Sequence, residues 1–569
     1  MTQNKFALDN SPRRFHPTFL VILSLSLLSF AVYGQVIHHQ FLNLDDDLFI
    51  FGNPHIRQGL TLDGIKWAFS ADLFYDSAHA DYWRPVTFLS HMADIHFFGF
   101  NAGFHHLTNL LLHTASSVLL FLAFKQMTGE LWKSAFVSAL FALHPLQAEA
   151  VAWIAARKDI LSTFFAILTI LVYGGYVRKP SLKKNLVLNL LFILGLMSKP
   201  ALVILPVLLL LLDFWPLQRV TFATFKKADF KRLLVEKACL FLISIGMGIL
   251  VRCPEFGILS KATWSFQYLL MPVNYVFYLQ KAIAPSNLAI HSFLSVKFFS
   301  SVQITSAFLL MVVISALIVR HIKKYPYLFS GWLWFLIAFL PTIGLIRADR
   351  FASFPLIGIW ILVSWGVSDL SAFFKMGKLP IFVAAFLLSV YAVVSHLQAS
   401  YWRDNITLFG HVLKVDRNNS RGHNNFGLAL AAEGREREAG EHFAKALEIQ
   451  PDFAQAHNNL GVVLFNEGKF NEAETCYSKA IKINPRDVIF HVNLGEVLLK
   501  EGKIGEAIAV YVNAVKIQPD FSIAHSGLGE ALMQNNRREE AIVQFKEALQ
   551  IDPHNELASH SLVLALKNG

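Results

Sequence analysis

The sequence predicts an all-α protein: a polytopic membrane domain of about 11 transmembrane helices with its N-terminus inside, followed by a solenoid of helical repeats. Three observations predict it. Of 569 residues, 54% are apolar and only 16% charged, where soluble chains carry about 25% charged residues. The charge is divided, with 32 Lys/Arg against 18 Asp/Glu in residues 1–401 and 18 against 22 in residues 402–569. Hydropathy falls after Trp402, where a 34-residue period begins. An ordinary soluble enzyme does not fit this composition. The formal net charge of +10 belongs to the apolar part, whose cations gather on cytoplasmic loops, so no nucleic-acid partner is expected. Cys239, Cys253 and Cys476 are too few and too scattered for a disulfide framework.

The first apolar run, 19–33, follows Lys5, Arg13 and Arg14 and has no small-residue cleavage site after Ser29, so it reads as an uncleaved anchor. Further candidate crossings are 107–126, 133–148, 159–177, 185–198, 201–216, 236–250, 303–320, 327–346, 351–367 and 378–396. Several fall short of the roughly 20 residues that a lone crossing needs. Cations cluster at Lys125/Lys133, Arg178–Lys184, Arg219–Lys237, Arg320–Lys324 and Lys375/Lys378. Placing these clusters in the cytoplasm gives eleven crossings and puts residues from 400 onwards on the opposite face. The run 186–215 is broken by Ser198-Lys199-Pro200. Its two basic flanks call for a short hairpin there. Residues 266–284 are read as lying on, or re-entering, the outer face. Two external loops, 34–104 and 251–302, complete the membrane domain of 1–401.

The repeats are explicit. Pro451, Pro485, Pro519 and Pro553 keep the 34-residue spacing, as do Gly427, Gly461, Gly495 and Gly529. The aromatics Phe443, Tyr477, Tyr511 and Phe545 stay in phase with alanines at 446, 480, 514 and 548. This is the tetratricopeptide pattern of paired antiparallel helices. Glycine and alanine sit where two helices approach, the aromatic fills the groove beside them, and proline ends the second helix. Four repeats are expected over 420–555, with 402–419 a linker or capping half-repeat and 556–569 a closing helix. A stacked solenoid leaves a concave surface. Asn424, Asn425, Asn458, Asn459 and Asn493 on the first helices are candidates for holding an extended peptide there; ordinary solvated positions are the alternative.

The first external loop carries the candidate chemistry. Asp45, Asp46 and Asp47 are adjacent carboxylates that repel one another, so a cation, a metal or a substrate hydroxyl should offset the cost. Asp45 and Asp46 are the candidate catalytic pair, with Asp47 and Asp94 as acidic support. Arg84, inside Asp81-Tyr82-Trp83-Arg84-Pro85, can grip phosphate through its planar fork of donors or anchor at the headgroups. Arg157, Lys158, Arg347 and Arg350 lie at predicted outer helix ends and are candidates for the phosphate of a donor. Arg347 and Arg350 bracket Asp349, which predicts leftover positive potential. His105, His106, Asn109, His144 and Glu149 are candidates for shaping the site or holding an acceptor. The spacing 105–106–109–113 lacks the His-Glu-x-x-His pattern, so no metal ligand is assigned, and divalent-metal dependence stays open.

These residues also carry a resemblance. Asn43-Leu-Asp45-Asp46, Asn53-Pro54, Trp83-Arg84-Pro85, His105-His106 through His113, Ala142-Leu-His144-Pro145, Glu149, Trp153 and Arg157-Lys158-Asp159 resemble the transmembrane and tetratricopeptide-repeat O-mannosyltransferases and their bacterial relatives. Lys199-Pro200, Asp213-Phe-Trp215-Pro216, Gly331-Trp332 and Ala348-Asp349-Arg350 add to the likeness. The resemblance implies the GT-C architecture of glycosyltransferases that use lipid-phosphate sugars, with the acidic motif at the base of the first external loop. It implies a membrane glycosyltransferase moving mannose or another hexose from a polyprenyl-phosphate donor to a hydroxyl of a secreted or periplasmic protein, peptide or glycan. No cofactor is required, because the lipid-linked sugar brings its own activated bond. Compact loops and a short N-terminus point to a bacterial inner membrane, with the catalytic loop and repeats periplasmic. The alternative is a non-catalytic scaffold or polysaccharide-assembly factor acting through its repeats.

Overall fold

The computed structural model describes residues 16–70, 83–221, 227–250, 261–290, 299–343 and 347–567. Asp81 and Tyr82 of the tryptophan-arginine motif, Cys253 and parts of the 251–302 loop lie outside the described residues. Two compact units are present, Met1–Asp404 and Asn405–Gly569.

The first unit is a multi-pass helical membrane body. Six of its described helices are long and apolar enough to cross a bilayer: Pro17–His38, Ala102–Thr128, Ile154–Arg178, Ser301–His321, Leu356–Phe373 and Leu379–Ser400. Two bent pairs, Leu131–Leu143 with Pro145–Ala152 and Ala228–Glu236 with Ala238–Leu250, raise the number to eight if each is one span. The expectation of about 11 is therefore corrected. Run length overcounted because apolarity persists through breaks in the backbone. The chain bends by 53° at His144-Pro145, and Lys199-Pro200 ends the 17-residue helix Leu182–Ser198. Pro200–Phe214 and Pro326–Phe339 are shorter than a crossing needs. Proline lacks an N–H and clashes with the preceding turn, and at 145 and 200 it opens a new element.

Large apolar side chains of the outermost helices have no protein cover. Phe382, Phe386 and Val393 on Leu379–Ser400 and Phe308, Leu309 and Val313 on Ser301–His321 are exposed, as a lipid-facing surface demands. Inside, Pro326–Phe339 and Leu356–Phe373 pack at Gly331 and Gly358, where a Cβ on either would overlap the other's carbonyl. Small residues of this kind let helix backbones meet where lipid gives no hydrophobic drive. The helix Lys261–Ile283, kinkable at Pro272, packs into the same body. Its Asn274 Nδ2 donates to Ile343 O at 2.6 Å, and Tyr278 Oη donates to Ala348 O at 3.1 Å.

The long helices share a polarity. Lys125 and Arg178 lie in the last turns of their helices, Lys183 and Lys184 in the first turn of Leu182–Ser198, and Lys378 immediately before Leu379. The other ends of these helices carry His105, Arg157, Lys199 and Ser400. The unit's last residues are held there too. Gln40 N donates to Arg403 O at 2.9 Å, and the Trp153 and Trp402 rings stack at 5.9 Å.

The second unit is a helical-hairpin stack from Asn405–Val415 through Glu556–Lys567. Gly427, Gly461, Gly495 and Gly529 each face the aromatic of their own repeat; a Cβ there would lie 2.5–2.7 Å from Phe443, Tyr477, Tyr511 and Phe545. His457, His491 and His525 each place Nε2 within 3.0 Å of the carbonyl of the proline six residues earlier, so they tie the turn between repeats.

Candidate functional site

Four groups of polar residues assemble at the end of the membrane unit away from the lysine clusters. The first is the acidic loop after the 3-10 turn Gly34–His38. Asp46 is fully buried. Its Oδ2 accepts from Leu42 N at 3.0 Å and its Oδ1 from Ala155 N at 2.9 Å, so it pins the loop to the turn before Arg157. Burial pushes this carboxyl up to about 7; the two backbone N–H groups oppose the rise, and the charges of Asp45 and Asp47 add to it. Asp45 is half-buried and Asp47 exposed.

Just past the triplet, Phe49 receives two cations. The Arg84 guanidinium carbon lies 4.2 Å from its ring centre and Lys158 Nζ 5.6 Å. Arg84 also covers Phe88 at 5.2 Å. Buried cation–π contacts of this kind are worth about 2 kcal/mol each, enough to fix both side chains.

The third group surrounds a cleft. Glu149 forms an ion pair with Arg350 Nη1 and accepts from Arg350 N at 3.2 Å. Asp159 lies 2.6 Å from Lys199 Nζ and 3.6 Å from Arg350 Nε. Burial works against the Arg350 charge, but Glu149, Asp159 and also Asp45 hold its pKa above the ordinary value. The influence of Asp45 is the smallest of the three. Lys199, Arg350, Asp159, Ser162, Thr342 and Ser353 line a cleft with about 60 Å³ of open space. Lys199 stands out in the sequence as a lone cation inside the apolar run 186–215, at a predicted outer helix end, but has no assigned role there. Arg347 is turned elsewhere, donating from Nε to Asn274 Oδ1 at 3.1 Å and stacking on Phe277 at 4.3 Å. Arg350 thus has two carboxylate partners, whereas the contacts of Arg347 are with an amide and an aromatic ring. Asp349 is itself buried, and burial together with Glu149 pushes its carboxyl well up, against the pull of Lys281 and Arg350.

The fourth group centres on Arg157, which is fully buried. Nη2 donates to Asp94 Oδ2 and His105 O, each at 2.8 Å, Nη1 donates to Ser90 Oγ at 2.8 Å, and Nε donates to Asn109 Oδ1. Four of its five N–H groups are thereby used. Asn109 passes the connection on to Trp153 O at 3.0 Å. Thr108 Oγ1 donates to Asp94 Oδ1 at 3.0 Å. His106 Nε2 faces Gln40 O at 3.3 Å, and His144 Nε2 faces Ala282 O at 3.1 Å, so these two histidines fasten backbone segments. The structure thus pairs Glu149 with Arg350 and ties Arg157 and Asn109 to Asp94, Ser90, His105 and Trp153.

In the repeats, Asn459 Nδ2 donates to Asn424 Oδ1 at 2.9 Å and Asn493 Nδ2 to Asn458 Oδ1 at 2.8 Å. Asn424 Nδ2 donates to Asn425 Oδ1 at 3.1 Å. The five asparagines form a ladder along successive first helices, with Asn424 and Asn458 buried.

The chain is a multi-pass membrane protein whose C-terminal unit carries tetratricopeptide repeats: models described as tetratricopeptide repeat match residues 420–453, 454–487, 476–509 and 498–566. It is distantly similar to protein O-mannosyl-transferases. Protein O-mannosyl-transferase TMTC1 of Mus musculus is 33% identical over 147 residues, 25% of this chain and 15% of that protein. Protein O-mannosyl-transferase TMTC4 of Homo sapiens is 25% identical over 497 residues, 75% of this chain and 66% of that protein. Both matches cover less than two thirds of the relative's own length. Among solved structures, the crystal structure of MamA is 28% identical over 26% of this chain and 86% of that chain, with a TM-score of 0.25.

Proposed function

We propose that the membrane unit is a glycosyltransferase of the GT-C kind that moves mannose or another hexose from a polyprenyl-phosphate donor to a hydroxyl of a protein or glycan acceptor. The observation that carries this reading is the cleft lined by Arg350 and Lys199, with the half-buried Asp45 acting on the Arg350 charge. Asp45 takes the proton of the acceptor hydroxyl as its oxygen attacks the anomeric carbon. The bond from that carbon to the phosphate oxygen breaks, and its electron pair leaves with the lipid phosphate, which Arg350 and Lys199 stabilise. Arg84 and Lys158, fixed on Phe49, extend the cationic surface for the phosphate. Asp46 positions Asp45 through its two backbone contacts, and Asp47 and Asp94 are acidic support. Arg157, Asn109, His105, His106 and His144 hold the elements that carry these groups. Arg347 lies at the margin, against the Lys261–Ile283 helix.

The donor carries its own activated bond, so neither nucleotide nor other cofactor takes part in this reading. The protein would reside in a bacterial inner membrane, with the acidic loop and repeats facing the periplasm. Support comes from the lysine clusters at the opposite helix ends and from the chain leaving the unit beside Gln40 and Trp153. The asparagine ladder would recruit a secreted or periplasmic protein, peptide or glycan, through backbone hydrogen bonds where the acceptor is an extended peptide.

One observation favours a second reading. Arg157, Arg350 and Lys199 all have carboxylate partners inside the unit, as a non-catalytic scaffold would require. Asp45→Asn separates the two. With radiolabelled polyprenyl-phosphate hexose and a periplasmic acceptor extract, transfer should fall by a factor of about 100 or more while the variant inserts and melts like the parent. No transfer by the parent chain from any such donor would sink the enzyme reading and leave the scaffold.

A further inference from the structure

We propose that His91, Asp94 and His105 form a binding site for a divalent metal of the zinc class, apart from the cleft lined by Arg350 and Lys199. His91 and Asp94 stand one turn apart on Pro85–Phe98, and His105 lies in the first turn of Ala102–Thr128. One ligand atom from each comes within 4.8 Å of the other two. All three side chains are buried, at 2%, 4% and 0% exposure.

The decisive detail is the His105 ring. Its Nε2 lies 3.1 Å from Gly99 O. A carbonyl only accepts, so Nε2 carries the ring proton and Nδ1 keeps a lone pair. That Nδ1 lies 3.5 Å from Asp94 Oδ2 and has no hydrogen bond among the described residues. A lone pair and a carboxylate oxygen face each other in a buried place, and something positive must stand between them. Zinc bound at about 2.0–2.1 Å to nitrogen and oxygen in tetrahedral geometry holds its ligand atoms about 3.4 Å apart. The His91 Nδ1 is likewise buried without a hydrogen bond among the described residues, and the His91 ring offers the third ligand. The surroundings match what a metal ligand set requires. Gly99 fixes the His105 tautomer, and Arg157 at 2.8 Å and Thr108 at 3.0 Å orient the Asp94 carboxylate. Two histidines and one carboxylate leave a fourth position for water. The ion would fasten the helix Pro85–Phe98 to Ala102–Thr128. A proton on His105 Nδ1 is the competing occupant.

The test needs no catalytic activity, so its failure leaves the transferase reading untouched. The full chain is purified in detergent through an affinity tag without histidine, on a His442→Ala background. That background removes the His423–His442 pair, whose Nδ1 atoms are 2.9 Å apart. After loading with zinc chloride and dialysis, elemental analysis should find about one zinc per chain, and His91→Ala should bind at least about 10-fold more weakly. Cobalt(II) in place of zinc should give the visible absorption of a tetrahedral nitrogen- and oxygen-ligated ion, which decides the matter if His91→Ala fails to fold. Zinc content equal in the His442→Ala chain and its His91→Ala derivative, or cobalt that stays octahedral, would overturn the site in favour of the proton.

Discussion

Replacing Asp46 by asparagine offers the sharpest test of how the acidic loop is built. In the folded chain this carboxyl rises from its ordinary 3.8 to about 7. Between these values the folded protein binds a proton that the unfolded chain does not. Stability is therefore greatest below pH 3.8 and is lost as pH rises through 7. The whole gap is worth about 4 kcal/mol, of which about 2.5–3 kcal/mol falls between pH 5 and pH 8. Asparagine does not titrate, so the stability difference between parent and Asp46→Asn should shrink by that amount over this range. A constant offset, the same at every pH, adds to this. The amide can accept from only one of Leu42 N and Ala155 N, and leaving the other unpaired costs about 1–3 kcal/mol. Unfolding of the detergent-solubilised chain, followed by tryptophan fluorescence at pH 5, 6, 7 and 8 for both proteins, measures the difference curve. A difference that stays constant across the range, or grows towards pH 8, would refute the burial argument for Asp46.

Three further outcomes are expected. Arg157→Leu should destabilise the membrane unit by about 3–5 kcal/mol, because it leaves Asp94 buried without its main partner; thermal unfolding reads this, and Asp94→Asn added to it should recover part of the loss. Gly461→Leu should push its helix away from Tyr477, where even a Cβ comes within 2.7 Å of the ring, costing about 1–3 kcal/mol and opening that repeat to limited proteolysis while transfer to a short soluble acceptor persists. Arg350→Ala should raise the donor KM more than the acceptor KM, since the removed group is assigned to phosphate; equal changes in both would remove that assignment.

The repeats were legible because each of their contacts is local and recurs. A glycine meets its aromatic sixteen residues later, as Gly461 meets Tyr477, and four copies leave no freedom in reading them. The membrane unit was legible as membrane but not in its number of crossings. Hydropathy does not register the bend at His144-Pro145 or the break at Lys199-Pro200, where the chain changes direction without becoming polar. Within the site, charged residues in apolar surroundings stood out, yet their partners did not. Asp46 bonds to a backbone N–H 109 positions away and Glu149 to an arginine 201 away, and neither pairing leaves a trace in local spacing. For the same reason the sequence could not tell that Arg157 would be consumed by Asp94, Ser90 and Asn109. The grouping of His91 with His105 was hidden because the two lie on different helices, and only the turn at Gly99–Asn101 folds one back onto the other.

The clasp at Gln40 has a mechanical consequence. Its N–H holds Arg403 while its carbonyl faces His106, and two residues further on Leu42 N engages Asp46. The strand that leads out to the repeats is thus spliced into the leash that carries the carboxylate triplet. A load applied to the chain at residue 404, such as a long substrate drawn taut, would pass both to that peptide group and to the helix Leu379–Ser400, whose carbonyls hold Tyr401 and Trp402. The loop would then work as a strain gauge whose reading is the setting of Asp45.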